Sequence, residues 1–258
     1  MNAYTGFSSF YEEFMDNIPY EDWTKYIVSL LKKYGVPDGL VCELGCGTGC
    51  VTRLLRDAGY NMIGIDSSAE MLEVAMYEHS DENKDILYLN QDMTDFELYG
   101  TVNAIVCVCD SINYLLTEKD LVKTFKLCNN YLESRGILIF DMKTEYEYSV
   151  KMGNRTIVDN RKDSTLIWEN SYNPKTHKNR YDITVYGKSD EDPDLFYRTD
   201  ETHIQKAYSV SRVISLIEKA GMEFVAAYDA FTFDPVKETG ERIYFVAREK
   251  KQEGKLYV

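Results

Sequence analysis

The residues best suited to chemistry by type and spacing are Glu43-Leu44-Gly45-Cys46-Gly47-Thr48-Gly49. They follow an apolar stretch, 40–44, that reads as a buried strand, and they lead into a helical pattern from about Gly49 to Ala58. Glycines spaced by two let the chain turn sharply and leave no Cβ between the backbone and a bulky ligand. In an open α/β sheet the exit of the first strand, where strand order reverses, is the usual ligand position. A dinucleotide fingerprint, G-x-G-x-x-G, needs glycine at position 50, where this chain has Cys50. The pattern is instead E-x-G-x-G-x-G, with an acid two residues before the first glycine. Two further acids stand at the ends of predicted strands, Asp66 in Ile63-Gly64-Ile65-Asp66-Ser67 and Asp92 in Gln91-Asp92-Met93. A carboxylate accepts paired hydroxyl hydrogen bonds well, and an acid at such a place also serves as a helix cap or turn residue.

A second kind of chemistry, proton transfer, points to His203 in Glu201-Thr202-His203-Ile204-Gln205. Strand alternation puts Glu201, His203 and Gln205 on one face, so Glu201 or a neighbour is placed to hold the imidazole tautomer. A structural histidine fits the same pattern. His79 and His177 read as surface residues of a helix end and a turn. The cysteines Cys42, Cys46, Cys50, Cys107, Cys109 and Cys128 mostly sit in apolar runs, with no spaced C-x-x-C pair and no histidine partner. Reduced thiols of a cytoplasmic protein are expected, and no metal.

These groups are carried by a β-α rhythm that starts at residue 40. Strands are expected at 40–44, 61–66, 86–90, 102–109 and 136–141, with helices between them and a capping-box spacing at Ser67-Ser68-Ala69-Glu70. Such alternation predicts a doubly wound α/β fold with a mostly parallel sheet covered on both faces. Between about Glu145 and Gln205 the pattern changes to strict alternation, as in Tyr181, Ile183 and Val185 against Asp182 and Thr184, joined by the turn cluster Asn173-Pro174-Lys175-Thr176; an antiparallel sheet is expected there. A helix over 209–220 and strands at 223–230 and 242–248 then complete a sheet of seven strands. Ahead of the first strand, residues 1–35 read as two amphipathic helices broken at Pro19, one with Phe7, Phe10, Tyr11, Phe14 and Met15 on a face, the other with Trp23, Ile27, Leu30, Leu31 and Tyr34.

With 43 acidic and 29 basic side chains the formal charge is −14, which repels a polyphosphate. Nucleic acid is therefore not expected as a partner, although Lys175, Lys178 and Arg180 cluster at a predicted hairpin tip. The first nine residues have neither a basic start nor an apolar core, and no apolar run approaches the roughly 20 residues needed to span a bilayer. A cytoplasmic protein is expected, with no membrane partner, as a monomer or weak homodimer.

The segment Val41 to Gly49, with Asp66 and Asp92 in register behind it, resembles the first motifs of the class I S-adenosylmethionine-dependent methyltransferases. The resemblance implies a Rossmann-like methyltransferase fold and S-adenosyl-L-methionine as cofactor, leaving S-adenosyl-L-homocysteine. It assigns the ribose hydroxyls to Asp66 and the adenine amino group to Asp92. Around the cofactor Glu43, Gly45, Cys46, Gly47, Gly49, Ser67, Gln91 and Cys109 are also expected, and Met71 and Met93 suit soft apolar contact with adenine, although core filling explains the two methionines equally well. The exit of the fourth strand, Cys109-Asp110-Ser111-Ile112-Asn113-Tyr114, is where methyl and acceptor meet in that family, making Asp110, Tyr114 and His203 the candidate catalytic residues. That exit lacks the Asp/Asn-Pro-Pro-aromatic signature of amino-base nucleic-acid enzymes and the Pro-Cys nucleophile of cytosine carbon-5 enzymes. A small-molecule acceptor is expected. The alternatives are a non-catalytic binder of the cofactor and a protein or tRNA methyltransferase.

Aromatic N-terminal helices and an antiparallel insert after the fifth strand also resemble bacterial sugar-amine and glycine N-methyltransferases. The expected division is a helical lid over 1–36, a methyltransferase core over 37–144 and 206–258, and an insert on the substrate side over 145–205. In that lid Tyr4, Tyr11, Tyr20 and Trp23 are expected over the cofactor, where aromatic faces suit a sulfonium. Trp168, Tyr172, Tyr181, Tyr186, Phe196 and Tyr197 suggest an aromatic wall for the acceptor, and they are also ordinary sheet formers.

Overall fold

Val41, Cys42 and Leu44 are fully buried in Leu40–Leu44 (β1), and alternate residues enter different apolar layers. Cys42 and Leu44 pack with Ile105, Leu138 and Phe140 on one face, while Val41 packs with Ala104, Val106, Ile137 and Ile139 on the other. Burial on both faces explains why these strands read as continuous apolar runs. The structure, a computed structural model, describes residues 14, 18–77, 85–189, 192, 194–252, 254 and 255.

The helix Tyr20–Lys33 (α1) precedes β1, and its buried Tyr26, Ile27, Leu30 and Leu31 cover one face of the sheet. The first predicted helix lies outside the described residues except for Phe14, which packs against Tyr148, Leu166 and Tyr181. After β1 come Cys50–Asp57 (α2), Asn61–Asp66 (β2), Ala69–Tyr77 (α3), Leu87–Asn90 (β3) and Val102–Cys107 (β4). A short 3-10 turn, Ser111–Tyr114, leads to Glu118–Tyr131 (α4) and Leu132–Lys143 (β5). Thr117 caps α4 by accepting the Asp120 N–H. The cap of α3 is Ser68, one residue later than the predicted box: its hydroxyl accepts the Met71 N–H at 3.2 Å and donates to Glu70.

A π-helical segment, Glu147–Met152, opens the insert, followed by Arg155–Asn160 (β6), Ser164–Asn173 (β7), Lys178–Lys188 (β8) and Phe196–Lys206 (β9). These four strands form an antiparallel sheet in the order β6-β7-β8-β9. The chain then returns through Val210–Lys219 (α5), Glu223–Asp229 (β10) and Arg242–Arg248 (β11).

The main sheet has seven strands in the order β10-β11-β5-β4-β1-β2-β3, a doubly wound, mostly parallel arrangement. The strand β11 runs antiparallel to both neighbours. A parallel crossover needs a helix-sized connection, and residues 230–241 contain no helix. Strand order reverses beside β1, so the carboxyl ends of β1, β2 and β4 open onto one crevice. No helix among the described residues is long and apolar enough to cross a membrane.

Candidate cofactor and acceptor site

The turn leaving β1 is tied to the end of β2. Gly45 N–H and Cys46 N–H both donate to the Ile65 carbonyl, at 2.7 and 3.0 Å. The Asp66 carboxylate receives Gly47 N–H on one oxygen and Ser68 N–H on the other, each at 2.8 Å. One acid thus braces both the glycine turn and the start of α3. Burial pushes the Asp66 carboxyl up against the N–H groups that lower it.

Two glycines serve different ends. Gly47 has φ +54°, and a Cβ built there meets no protein atom within 4 Å, so the space a side chain would fill belongs to the crevice. Gly49 has φ +78°, and a Cβ there runs into the Tyr88 hydroxyl. Gly49 does not line the cavity; it is glycine because α2 starts under a tyrosine. Glu43, only 2% exposed, accepts the Thr52 hydroxyl. Burial pushes its carboxyl up to about 8, opposed by the Thr52 hydrogen bond and reinforced by the nearby Asp66 charge.

The crevice encloses about 730 Å³, in the range of cofactor pockets. Glu43, Gly45, Cys46, Gly47, Asp66, Ser67, Met71, Gln91, Asp92, Met93, Cys109 and Tyr114 all line it, bringing together most of the residues expected from the sequence. Tyr20, from the start of α1, joins them. Tyr11 and Tyr4 lie outside the described residues. Trp23 stands away from the cavity, its ring 4.8 Å from the Arg242 guanidinium and 5.4 Å from the Phe231 ring. Leu115, Leu116, Thr117 and Asp120 also line the cavity, unforeseen. Thr117 caps α4, and nothing in the local sequence said that the approach to that helix would form a wall.

Among the described lining residues four are carboxylic, Glu43, Asp66, Asp92 and Asp120, and none is Lys, Arg or His. Acids, the thioethers of Met71 and Met93 and an open glycine cradle on one cavity suit a cationic nucleoside such as S-adenosylmethionine in chemical type.

The exit of β4 is held in a costly conformation. Cys109 and Asp110 have φ of 57° and 56°, left-handed values that non-glycine residues rarely adopt. A buried network compensates. Asp110 N–H donates to Asp141 at 2.7 Å, and the Asp110 carboxylate meets Arg242 at 2.7 Å, Gln205 at 2.7 Å and Lys143 at 3.2 Å. Arg242 also donates to Asp141 at 2.5 Å. For Asp110, Lys143 and Arg242 outweigh burial and hold the carboxyl down; for Asp141, fully buried, burial wins and the carboxyl is pushed up. Asp110 therefore lies behind the cavity wall as an anchor. Arg242, Asp141 and Lys143 had no signal in the sequence, because their partners come from other strands.

His203 is likewise not on the wall. Its Nε2 is 2.9 Å from a Glu201 carboxylate oxygen, and its Nδ1 is 3.1 Å from the Tyr114 hydroxyl. Gln205, on the same face of β9, accepts the Tyr148 and Tyr181 hydroxyls at 2.9 and 2.7 Å. The expected aromatic wall is divided. Trp168, Tyr172 and Tyr181 gather around the fully buried Tyr148, whereas Phe196 and Tyr197 are exposed and Tyr186 lies under Arg198. Alternation along β8 separates Tyr181 from Tyr186 across the sheet.

Residues 41–136 match the family model described as a methyltransferase domain. YqeM of Bacillus subtilis (strain 168), which carries a methyltransferase name, is 32% identical over 249 residues, covering 96% of this chain and 98% of that one. A glycine/sarcosine N-methyltransferase of Halorhodospira halochloris is 31% identical over 126 residues, 46% of this chain and 44% of that one. Among solved structures, an S-adenosylmethionine-dependent methyltransferase from Clostridium acetobutylicum superposes with a TM-score of 0.84 at 25% identity, covering 97% of this chain and all of that one. With the glycine cradle, the acids behind it and a sheet of this order, the chain belongs to the class I S-adenosylmethionine-dependent methyltransferases and is related to their small-molecule enzymes.

Proposed function

We propose that the protein methylates a small-molecule amine, with the acceptor meeting the cofactor at the wall formed by Cys109, Ser111 and Tyr114. The observation that carries this reading is the charge of the cavity: Asp66, Asp92 and Asp120 line it, Glu43 beside them is kept protonated by burial, and no basic residue stands among the described lining residues. Such a lining attracts a cationic acceptor and repels a phosphorylated or carboxylate-rich one. The partial relative named for glycine and sarcosine N-methylation agrees in attacking atom.

When bound, S-adenosylmethionine supplies an already activated methyl group for in-line displacement. The chain's own residues are left with positioning, water exclusion and proton removal. Asp66 and Asp92 hold the ribose and adenine ends, and Gly45 and Gly47 admit the chain of the cofactor. Tyr20 is the lid residue that reaches the site. Of the residues assigned to the acceptor side, Tyr114 faces the cavity, His203 stands behind it, and Asp110 keeps the strand exit in shape.

Titration calorimetry with S-adenosylhomocysteine tests the cofactor half. Incubation with methyl-labelled S-adenosylmethionine and a panel of amino acids, amino sugars, alcohols, tRNA and a basic peptide tests the acceptor half, read by mass spectrometry. Methylated nitrogen on a small amine is the expected product. Labelling of tRNA or peptide alone refutes the reading in favour of a macromolecular acceptor.

A further inference from the structure

The buried face of β9 carries a chain of polar groups from the interior to the cavity wall. Glu201 and His203 are two residues apart on one strand and so point the same way. They are 9% and 2% exposed. Glu201 is 2.9 Å from His203 Nε2, His203 Nδ1 is 3.1 Å from the Tyr114 hydroxyl, and the Tyr114 and His203 rings meet edge-on with centroids 6.0 Å apart. Tyr114 lines the cavity; His203 and Glu201 do not.

The partners assign the protons. A carboxylate beside Nε2 keeps the imidazole proton on that nitrogen, through a charge-assisted hydrogen bond. Nδ1 is then a lone pair, and the Tyr114 hydroxyl must donate to it. The remaining lone pairs of the phenol oxygen can only accept, and Tyr114 is the member of the chain that meets the cavity. A buried carboxylate is costly unless it is paired. Glutamine at 201 would satisfy the imidazole N–H at lower cost, so the charge is what a histidine that takes up a proton requires.

We propose that Tyr114, His203 and Glu201 form a proton relay that deprotonates the acceptor, an inference that rests on the methyl-transfer reading above. The acceptor's N–H bond breaks and a new O–H bond forms at Tyr114 Oη, while the phenol's own proton moves to His203 Nδ1. The resulting imidazolium is balanced by Glu201, and its proton leaves by the reverse route to water once product has gone. Tyr114 is the catalytic residue, and His203 and Glu201 act through it. The acceptor class this selects is an amine protonated in solution, which cannot attack until that proton is removed.

Two measurements test the relay. In protein labelled with nitrogen-15 at histidine, with His203 assigned by its loss in His203→Gln, the ring of His203 should show a protonated Nε2 and a hydrogen-bonded Nδ1 lone pair. Tyr114→Phe should move the Nδ1 resonance downfield, to that of a bare lone pair. A ring protonated on Nδ1 alone overturns the relay, and this arm needs no acceptor. With an amine found in the panel above, His203→Gln should lower kcat about 100-fold near neutral pH. That loss should shrink as pH rises and bulk solvent deprotonates the amine instead, and Glu201→Asp should retain more activity than Glu201→Ala. A loss that does not change with pH marks a structural role and overturns the proposal. Wild-type protein that fails to bind S-adenosylhomocysteine refutes the methyl-transfer reading itself, whatever the tautomer.

Discussion

Glu43→Gln removes a titrating carboxyl from the floor of the cofactor cavity and leaves a side chain of the same size beside Thr52. In the unfolded chain this carboxyl ionises near its ordinary 4.5, whereas in the folded protein burial keeps it protonated up to about 8. Between those values the native state holds a proton that the unfolded state has released. Stability contributed by that proton is fully present at low pH and is lost as pH rises toward about 8, where both states are ionised. From about pH 6 to about pH 8 the loss amounts to about 2 kcal/mol. Other carboxyls raised by burial, Asp66, Asp141 and Glu147, titrate in both proteins and largely cancel in the comparison. Guanidinium unfolding of wild type and Glu43→Gln, without cofactor and at several pH values, measures the difference directly. Wild type should lose stability relative to the variant as pH increases through this window. Parallel curves, or a wild type that gains on the variant, refute the assignment of a buried, proton-holding Glu43.

Two further substitutions test the frame of the site. Arg242→Met leaves the fully buried Asp141 with no cationic partner and Asp110 with Lys143 and Gln205 alone, so urea unfolding should show a loss of about 3–5 kcal/mol; a loss below about 1 kcal/mol would mean that Arg242 contributes little to holding the strand exit. Gly47→Ala places a methyl in the space reserved for ligand at φ +54°, so calorimetry should show S-adenosylhomocysteine affinity reduced at least about tenfold, beyond a stability loss of about 1 kcal/mol. Unchanged affinity would show that the cradle does not face the cofactor.

The spacing of Glu43, Gly45 and Gly47 after an apolar strand, and the acids at 66 and 92, picked out residues that line one crevice because turn geometry and strand exits are local properties. The alternation that put Glu201, His203 and Gln205 on one face was equally local. Their partners were not legible. Tyr114 lies 89 residues from His203, and Arg242 lies 132 residues from Asp110. Such pairs exist only once the insert has docked and β11 has entered the sheet against its neighbours. The same dependence moved Gly49, Trp23, Asp110 and His203 off the cavity wall: Tyr88 crowds the first, Arg242 takes the second and third, and Tyr114 stands in front of the last. Periodicity and turn chemistry, which act over a few residues, determined by themselves which strands form and where the glycine turn lies. Which buried charges neutralise one another, and which side chain finally faces the ligand, was decided by tertiary structure, because a buried carboxylate or imidazole takes whatever partner packing brings within hydrogen-bonding reach.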